Sequence, residues 1–337
     1  MLFMIKTACF KILFFVALVF GFVACKNDID VLAKYEENAV VYAILSASET
    51  THFVKINKVF TNPNAKASDV AQIADSLFFD TITPEIVEQQ TGRRIPLYKA
   101  NVVLKDSGFF AKSPNYLYAT PNNTILNPLY NYAIEFRLPK SQKLISASTN
   151  IVRPFNIQQP NLSFSNILDF NLNARFNIRF LTPINSKVFD AIFIFNYSET
   201  DKNNPGIVEN KSISWKVMNN VKTDKDRGGE IISTMVESIS FYDLLVSNIK
   251  KNDNVIRKFE PCQLTIYAGN LELDTYIQSL QPSIGIVQKQ SEYTNINNGV
   301  GIFASRFIRN YSGLDLSTNT QNNIVNLDRY KFMGFVR

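Results

Sequence analysis

Cysteine and histidine are scarce in this sequence. Among 337 residues there are three cysteines, Cys9, Cys25 and Cys262, and a single histidine, His52. A zinc site built on two or three imidazoles is therefore excluded. A Ser-His-Asp triad would have to use His52, and the sequence contains no Gly-x-Ser-x-Gly motif to supply its nucleophile. We interpret His52 as an ordinary residue at the start of a strand.

Blocks of like charge are also missing. The 35 lysines and arginines exceed the 29 aspartates and glutamates only slightly and form no basic block, so nothing favours nucleic-acid binding. The acidic pairs Asp28-x-Asp30 and Asp224-x-Asp226 do not continue into a calcium-loop pattern and are interpreted as solvated loops. Gly299-x-Gly301 lacks the third glycine of a dinucleotide-binding loop and predicts a tight turn before a strand. We therefore expect no metal and no cofactor.

One apolar run stands out near the N-terminus, from Ile12 to Phe22, behind Lys6 and Lys11. It is shorter than the about 20 residues that a membrane span needs, and its charged flank is typical of a secretory signal peptide. The run ends in Phe22-Val23-Ala24-Cys25, which resembles the bacterial lipobox, where a cysteine is lipidated and becomes the new N-terminus. The sequence thus predicts a signal peptide over residues 1–24 and a lipid on Cys25. The alternative is an uncleaved anchor helix with an ordinary buried cysteine.

Residues 25–38 are predicted to be a lipid-anchored tether. The segment Lys26-Asn27-Asp28-Ile29-Asp30 resembles the lysine-plus-acidic tether that marks Bacteroidota lipoproteins for export to the cell surface, although any solvated linker has this composition. With Cys25 lipidated and Cys9 removed with the signal peptide, Cys262 has no partner for an intrachain disulfide. Hydrophobic cores must therefore hold the folded part together.

The composition predicts a mainly β protein, because 27 Phe and 14 Tyr accompany many β-branched residues. Over residues 39–155 we predict an immunoglobulin- or fibronectin III-like β-sandwich. Its strands include Ala39–Leu45, His52–Phe60 and a hairpin about Thr91-Gly92, with an insertion over residues 61–84, a short helix over 68–77 and a further strand over 101–105. The pattern Leu126-x-Pro128-x-x-x-Tyr132, followed by strict alternation to Leu138, resembles the tyrosine corner of such sandwiches.

Residues 156–337 are predicted to form a second β-rich domain with two short helices. Alternating apolar residues predict strands at 175–180, 188–197 and 262–268, and closing strands at 301–308 and 330–336. Ser240 and Asp243 have the spacing of a capping box and predict the first helix. Aligned apolar residues over 273–280 predict the second helix.

The best candidate for ligand binding is an aromatic tract interleaved with asparagines. Its rings are Phe109, Phe110, Tyr116, Tyr118 and Tyr130. Aromatic faces stack on sugar rings or peptides, and asparagine side chains hydrogen-bond to hydroxyls, so we select Phe109, Tyr116 and Tyr118 as ligand-binding residues. The alternative is that half of these rings fill the sandwich core.

Three stretches of the sequence resemble segments of a known family. They are Val40-Val-Tyr-Ala-Ile-Leu45, Leu271-Glu-Leu-Asp-x-Tyr276 and Tyr293-x-Asn-Ile-x-Asn-Gly-x-Gly-Ile-Phe-Ala304. Together with the lipobox they resemble a family of Bacteroidota outer-membrane lipoproteins that carry a domain of unknown function, often near TonB-dependent receptors. The resemblance implies a lipoprotein facing the surface or the periplasm, with an N-terminal sandwich. It implies no catalytic residues.

Two functions from different classes remain open at this point. The first is a non-enzymatic binding or assembly subunit, lipid-anchored at the outer membrane on its cell-surface or periplasmic face. Its expected partners are an outer-membrane receptor protein and a glycan or peptide ligand. The alternative is a carbohydrate-active hydrolase that uses paired carboxylates, which would meet only in the fold. We favour the first, and so expect no enzymatic activity.

The lipid prediction can be tested by metabolic labelling with a palmitate analogue. Labelling is expected to be lost in Cys25→Ala, since the lipobox cysteine supplies the acylated thiol, and to be unchanged in Cys262→Ala. Label that persists in Cys25→Ala would contradict the prediction.

Overall fold

The computed structural model describes residues 37–59, 73, 77–101, 115–281 and 292–337. This part of the chain is mainly β, as the composition predicts. Its strands are β1 (Ala39–Ser46), β2 (Phe53–Lys58), β3 (Glu85–Glu88), β4 (Arg94–Pro96), β5 (Tyr98–Asn101), β6 (Tyr116–Ala119), β7 (Asn131–Arg137), β8 (Leu144–Asn150), β9 (Ile157–Gln159), β10 (Ile167–Leu168), β11 (Arg175–Leu181), β12 (Val188–Asp201), β13 (Val208–Lys222), β14 (Ile231–Glu237), β15 (Val255–Gly269), β16 (Val300–Leu316) and β17 (Phe335–Val336).

Three α-helices accompany these strands in the described residues: α1 (Ile239–Asn248), α2 (Leu271–Ser279) and α3 (Thr318–Asn326). Within the described ranges, no helix is long and apolar enough to cross a membrane. The predicted helix over 68–77, the continuation of the predicted strand over 101–105, Phe109 and Cys25 lie outside the described residues.

The N-terminal part is the predicted immunoglobulin- and fibronectin III-like sandwich. One sheet has the strand order β1-β2-β6-β5 and the other β4-β3-β7-β8. In immunoglobulin lettering these are A-B-E-D and C′-C-F-G, the Greek-key arrangement. The two sheets pack on one core, to which they contribute inward-facing residues such as Val54 and Ile56 from the first and Ile86, Ile134 and Ile145 from the second.

The predicted tyrosine corner is present at the start of β7. The hydroxyl of the fully buried Tyr132 accepts a hydrogen bond from the backbone N of Asn127 at 2.8 Å and donates one to Glu88 Oε1 at 3.1 Å. The second bond also satisfies a carboxylate on the neighbouring strand β3, which is itself buried. A single side chain thus fixes the loop before β7 to two strands.

The second half packs two layers of strands around an aromatic core. Strands β13-β12-β15-β16 form one layer and β14-β11-β9 the other. Helix α1 contributes Phe241, whose ring stacks on Phe170 at 4.3 Å between centroids. The predicted capping box is wrong: α1 begins at Ile239, and Ser238 occupies the N-cap without a side-chain hydrogen bond. Helix α2, in contrast, has a side-chain N-cap, because the Asn270 side chain accepts a hydrogen bond from Leu273 N.

Strand β16 belongs to both halves of the molecule. Its first residues, from Val300 to Arg306, pair in parallel with β1, and the following residues to Leu314 pair antiparallel with β15. The N-terminal core accordingly consists of apolar residues between Ala39 and Ile151 together with Ile296 and Phe303. The two hydrophobic cores therefore separate near residue 152, while the hydrogen-bonded sheet runs on from one to the other.

A close approach of backbones occurs where β1 meets β16. Gly301 has φ +115°, and a Cβ on it would stand 2.0 Å from the carbonyl oxygen of Val41. Just upstream, the side chain of Asn295 bonds both the N–H and the C=O of Phe303, at 2.9 and 2.7 Å. Asn298 adopts a positive φ of 57°, as the predicted tight turn requires. The segment from Asn295 to Phe303 thus brings β16 to β1.

The same segment covers the open edge of the second sandwich sheet. Asn297 forms an antiparallel bridge with Ser146 of β8, and the Asn298 side chain donates to Leu144 O at 3.0 Å. Exposed edge strands tend to recruit other chains, and a short bridge of this kind blocks part of the edge.

The C-terminus differs from the prediction. The sequence predicts a strand over 330–336, but a 3-10 turn occupies Lys331–Met333 and only Phe335–Val336 pairs, with β15. Helix α3 is not predicted at all. The last residues are held by Arg257, which is buried, bonds Glu199 at 2.8 Å and donates to the backbone carbonyl of Met333.

The close approach at Gly301 gives a stability prediction. Gly301→Ala should lower the free energy of unfolding by at least about 3 kcal/mol, because the methyl group collides with a backbone carbonyl that cannot move without breaking the β1–β16 pairing. Chemical denaturation of residues 26–337 measures the loss. Gly313→Ala on the same strand is the matched control: φ is +69° but no atom lies within 4 Å of the added carbon, so the cost should be only about 1 kcal/mol. Equal losses would contradict the close-approach argument.

Candidate functional site

The predicted aromatic tract does not form one exposed surface. Tyr118 is only 3% exposed and packs in the N-terminal core, so its selection as a ligand-binding residue is corrected. The reason is the pleat: Tyr118 points inward with Val54, its partner on β2. Burial raises the pKa of Tyr118 to about 12. Tyr130 is partly buried against the same core.

Tyr116 is partly exposed to solvent, and its ring contacts another aromatic ring and a lysine. Its ring meets Phe78 edge-to-face at 5.1 Å between centroids, and Lys99 Nζ lies 4.2 Å from the ring centroid. Phe109 lies outside the described residues and stays a prediction. Of the three selected rings, the structure therefore places one in the core and one half-buried at the rim of the sandwich.

His52 lies in the interior rather than in a catalytic arrangement. It is fully buried directly before β2, and its Nε2 donates to the carbonyl oxygen of Thr124 at 3.1 Å. Burial lowers the pKa of His52, so the ring is held in its neutral form. Cys262 is also buried, which raises the pKa of its thiol to about 11. Within the described ranges, no group of three or more His, Cys, Asp or Glu side chains could hold a metal ion.

A large groove lies on the outer face of the sheet β4-β3-β7-β8. Its volume is about 860 Å³, within the range of ligand-binding clefts. One wall is the segment Thr81–Thr83 that leads into β3, and the other is the β7–β8 turn from Pro139 to Leu144. Alternation along the strands turns Ile86, Ile95 and Phe136 inward and leaves charged residues on this outer face. We call this feature the charged groove.

A row of charged side chains crosses the charged groove. Glu85 on β3 lies directly opposite Glu135 on β7. Arg94 on β4 donates to both carboxylates, with Nη1 2.8 Å from Glu85 Oε2 and Nη2 2.9 Å from Glu135 Oε2. These hydrogen bonds raise the pKa of Arg94. Because all three side chains remain about a third or more exposed, the row contributes little to stability and is open to a ligand.

The charged groove offers donors and acceptors side by side on rigid strands. Glu85 and Glu135 present acceptor oxygens, while Arg94 and the hydroxyls of Thr81 and Thr83 present donors. Such a surface suits a polar ligand with both kinds of group, such as the hydroxyls of a glycan or the amides of an extended peptide. An anionic ligand would meet two carboxylates, and a cationic one would meet the guanidinium groups of Arg94 and Arg137.

The start of the described chain reaches the same turn. The Glu37 carboxylate accepts hydrogen bonds from the backbone N of Lys140 at 3.1 Å and of Ser141 at 2.7 Å. Both residues belong to the β7–β8 turn, whose neighbours Pro139 and Gln142 line the charged groove. The first described residue, Glu37, therefore lies beside this wall of the groove.

Sequence reasoning did not find the charged groove. The sequence does show charged residues at the outward positions of strands with alternating polarity. Glu135 and Arg137 lie two residues apart in β7, and Arg94 lies in the predicted hairpin. What the sequence could not supply is the strand order that sets β3 between β4 and β7.

Comparison with known proteins adds little to this description. No family model and no curated protein matches the chain. Among solved structures it is similar to the C-terminal globular domain of oligosaccharyltransferase from Pyrococcus abyssi, at 9% identity and a TM-score of 0.24, over 67% of this chain. The matched part spans 47% of that domain's chain. At this similarity the comparison carries no argument about fold or function.

The correction at Tyr118 can be tested against a neighbour on β5. Tyr118→Ala should cost about 3 kcal/mol of unfolding free energy, because it empties a core position. Tyr98→Ala, on the adjoining strand but 60% exposed, should change it by no more than about 0.5 kcal/mol. Urea denaturation of both variants measures the two losses of unfolding free energy and shows which of the two tyrosines is buried. Similar small effects would restore Tyr118 as a surface residue.

Proposed function

We propose that this protein is a lipid-anchored subunit of the cell envelope that binds a polar ligand, a glycan or a peptide, in the charged groove without transforming it. The observation that carries the proposal is the row Glu85–Arg94–Glu135, displayed on a rigid sandwich face inside a groove of about 860 Å³. Strands hold these side chains at fixed spacing, so little ordering entropy is lost on binding.

The position of Glu37 sets where the charged groove would lie if the chain is anchored at Cys25. If Cys25 carries the lipid, the fully extended chain from Cys25 to Glu37 spans about 40 Å at most. Since Glu37 is bound to the turn that walls the groove, the groove stays within that reach of the bilayer. A ligand or receptor at the outer membrane, including a TonB-dependent receptor as the family resemblance implies, would be accessible to a groove so placed.

One observation favours a second candidate function. Glu85 and Glu135 stand opposite each other on paired strands, which is the kind of carboxylate pair a glycoside hydrolase requires. In the structure both carboxylates accept hydrogen bonds from Arg94, which bridges them, and this arrangement supports ligand binding more directly than hydrolysis. We therefore place the hydrolase second.

The proposal is tested by capturing ligands with the full lipidated chain from detergent-solubilised membranes and on a glycan array. Arg94→Met should weaken the captured interaction at least tenfold, or about 1.4 kcal/mol, because it removes the donor that organises both carboxylates. The matched control is Arg175→Met, which breaks a similarly exposed pair with Glu237 on the sheet β14-β11-β9 and should leave capture unchanged. Equal capture by wild type and Arg94→Met would refute the groove as the site.

The same preparation distinguishes the hydrolase. Incubation with the captured glycan should leave its chain length unchanged if the protein only binds. Release of new reducing ends that disappears in Glu135→Gln would establish hydrolysis and overturn the binding proposal.

A further inference from the structure

A second cavity, independent of the charged groove, lies where α2 packs beside β1 and the start of β16. Its volume is about 370 Å³. Three tyrosines from separate elements line it: Tyr42 of β1, Tyr276 of α2 and Tyr293 from the segment before β16. Leu280 and Val300 add apolar surface, and both are well exposed. We call this cavity the tyrosine pocket.

Local structure explains why the rings converge. On β1 the alternation sends Val41 and Ala43 into the core and leaves Tyr42 outside, 44% exposed. On α2, Tyr276 and Leu280 are four residues apart and so share one face of the helix. The rings of Tyr42 and Tyr276 meet at 64° with centroids 6.2 Å apart, which makes two aromatic walls at an angle.

The hydroxyls of Tyr276 and Tyr293 remain neutral in this setting. Burial raises the pKa of Tyr276 to about 12, helped by its hydrogen bond with Tyr42. Burial and the nearby carboxylate of Glu272 also raise the pKa of Tyr293. The walls are therefore neutral aromatic rings, whose faces carry the negative part of the ring quadrupole.

Among the described residues that line the pocket, the formal charge and the helix dipole both favour a cation. Among the nine described lining residues, Glu292 has the only formal charge, and it is negative. Tyr276 and Leu280 belong to the C-terminal end of α2, where the helix dipole is negative, and the last turn contains no basic residue to offset it. Aromatic faces, a carboxylate and a helix C-terminus together match an organic cation rather than an anion or a neutral sugar.

We propose that the tyrosine pocket binds an alkylammonium group, with Tyr42, Tyr276 and Tyr293 contacting its methyl or methylene surface and Glu292 balancing its charge. Free quaternary ammonium compounds, a methylated lysine and a choline headgroup share this chemistry. The tyrosine pocket shares no lining residue with the charged groove, so this proposal does not depend on the function proposed above.

Calorimetric titration of the full chain with choline tests the charge and the shape together. The matched probe is 3,3-dimethylbutan-1-ol, which has the form of choline with carbon in place of the charged nitrogen. Choline should bind saturably, and the neutral alcohol at least about fivefold more weakly, because the ring quadrupole attracts only the cation. Absence of saturable choline binding, or equal binding of the two probes, overturns the proposal.

Variants then locate the site. Tyr276→Phe keeps the ring and should keep most of the affinity, whereas Tyr276→Leu and Glu292→Gln should each lower it at least about threefold. Tyr98→Leu, an exposed tyrosine on β5, is the control and should bind like wild type. Melting temperatures confirm that each variant folds. Choline binding unchanged in both Tyr276→Leu and Glu292→Gln would place the ligand elsewhere and refute the pocket. A trimethyllysine peptide and phosphatidylcholine vesicles, titrated in parallel, distinguish the sources of the group.

Discussion

The contact of β1 with β16 is the constraint on which the rest of the fold depends. Two parallel strands can approach as closely as they do at Val41 only because Gly301 has no side chain. Through that pairing the first sheet of the N-terminal sandwich and the large sheet of the second half form one continuous hydrogen-bonded sheet. The tyrosine pocket depends on it too, since Tyr42 lies on β1, and Val300 and Gly301 lie on β16.

Features encoded by neighbouring residues could be predicted from the sequence. The tyrosine corner is one, because the pattern from Leu126 to Tyr132 contains both the hydroxyl and the backbone that it bonds. The hairpin about Gly92 is another. Helix α3 escaped prediction because its sequence, Thr-Asn-Thr-Gln-Asn-Asn-Ile-Val-Asn, resembles a loop. It is stabilised from outside by the Ser317 cap and by Thr320, whose buried hydroxyl accepts from Phe170 N.

The sites were beyond sequence reasoning for a related reason. A period of two separates the faces of a strand but does not say which face is inside, and this ambiguity misassigned Tyr118. The charged groove needs Glu85, Arg94 and Glu135 on adjacent strands, and that adjacency follows from the Greek key. The segment from Asn295 to Phe303 stood out in the sequence, but its role in the structure is architectural: it orders the start of β16 and covers the edge of β8.

The shared strand also affects when the molecule can fold. Val40 pairs with Val300, about 260 residues later in the chain, so β1 leaves the ribosome long before the strand that it pairs with on that side has been synthesised. Until β16 follows, β1 has β2 alone, and one edge of the first sandwich is open to other chains. Contacts of such sequence separation form slowly and expose intermediates to aggregation. We therefore expect a nascent or truncated chain that lacks β16 to need protection from aggregation by a chaperone.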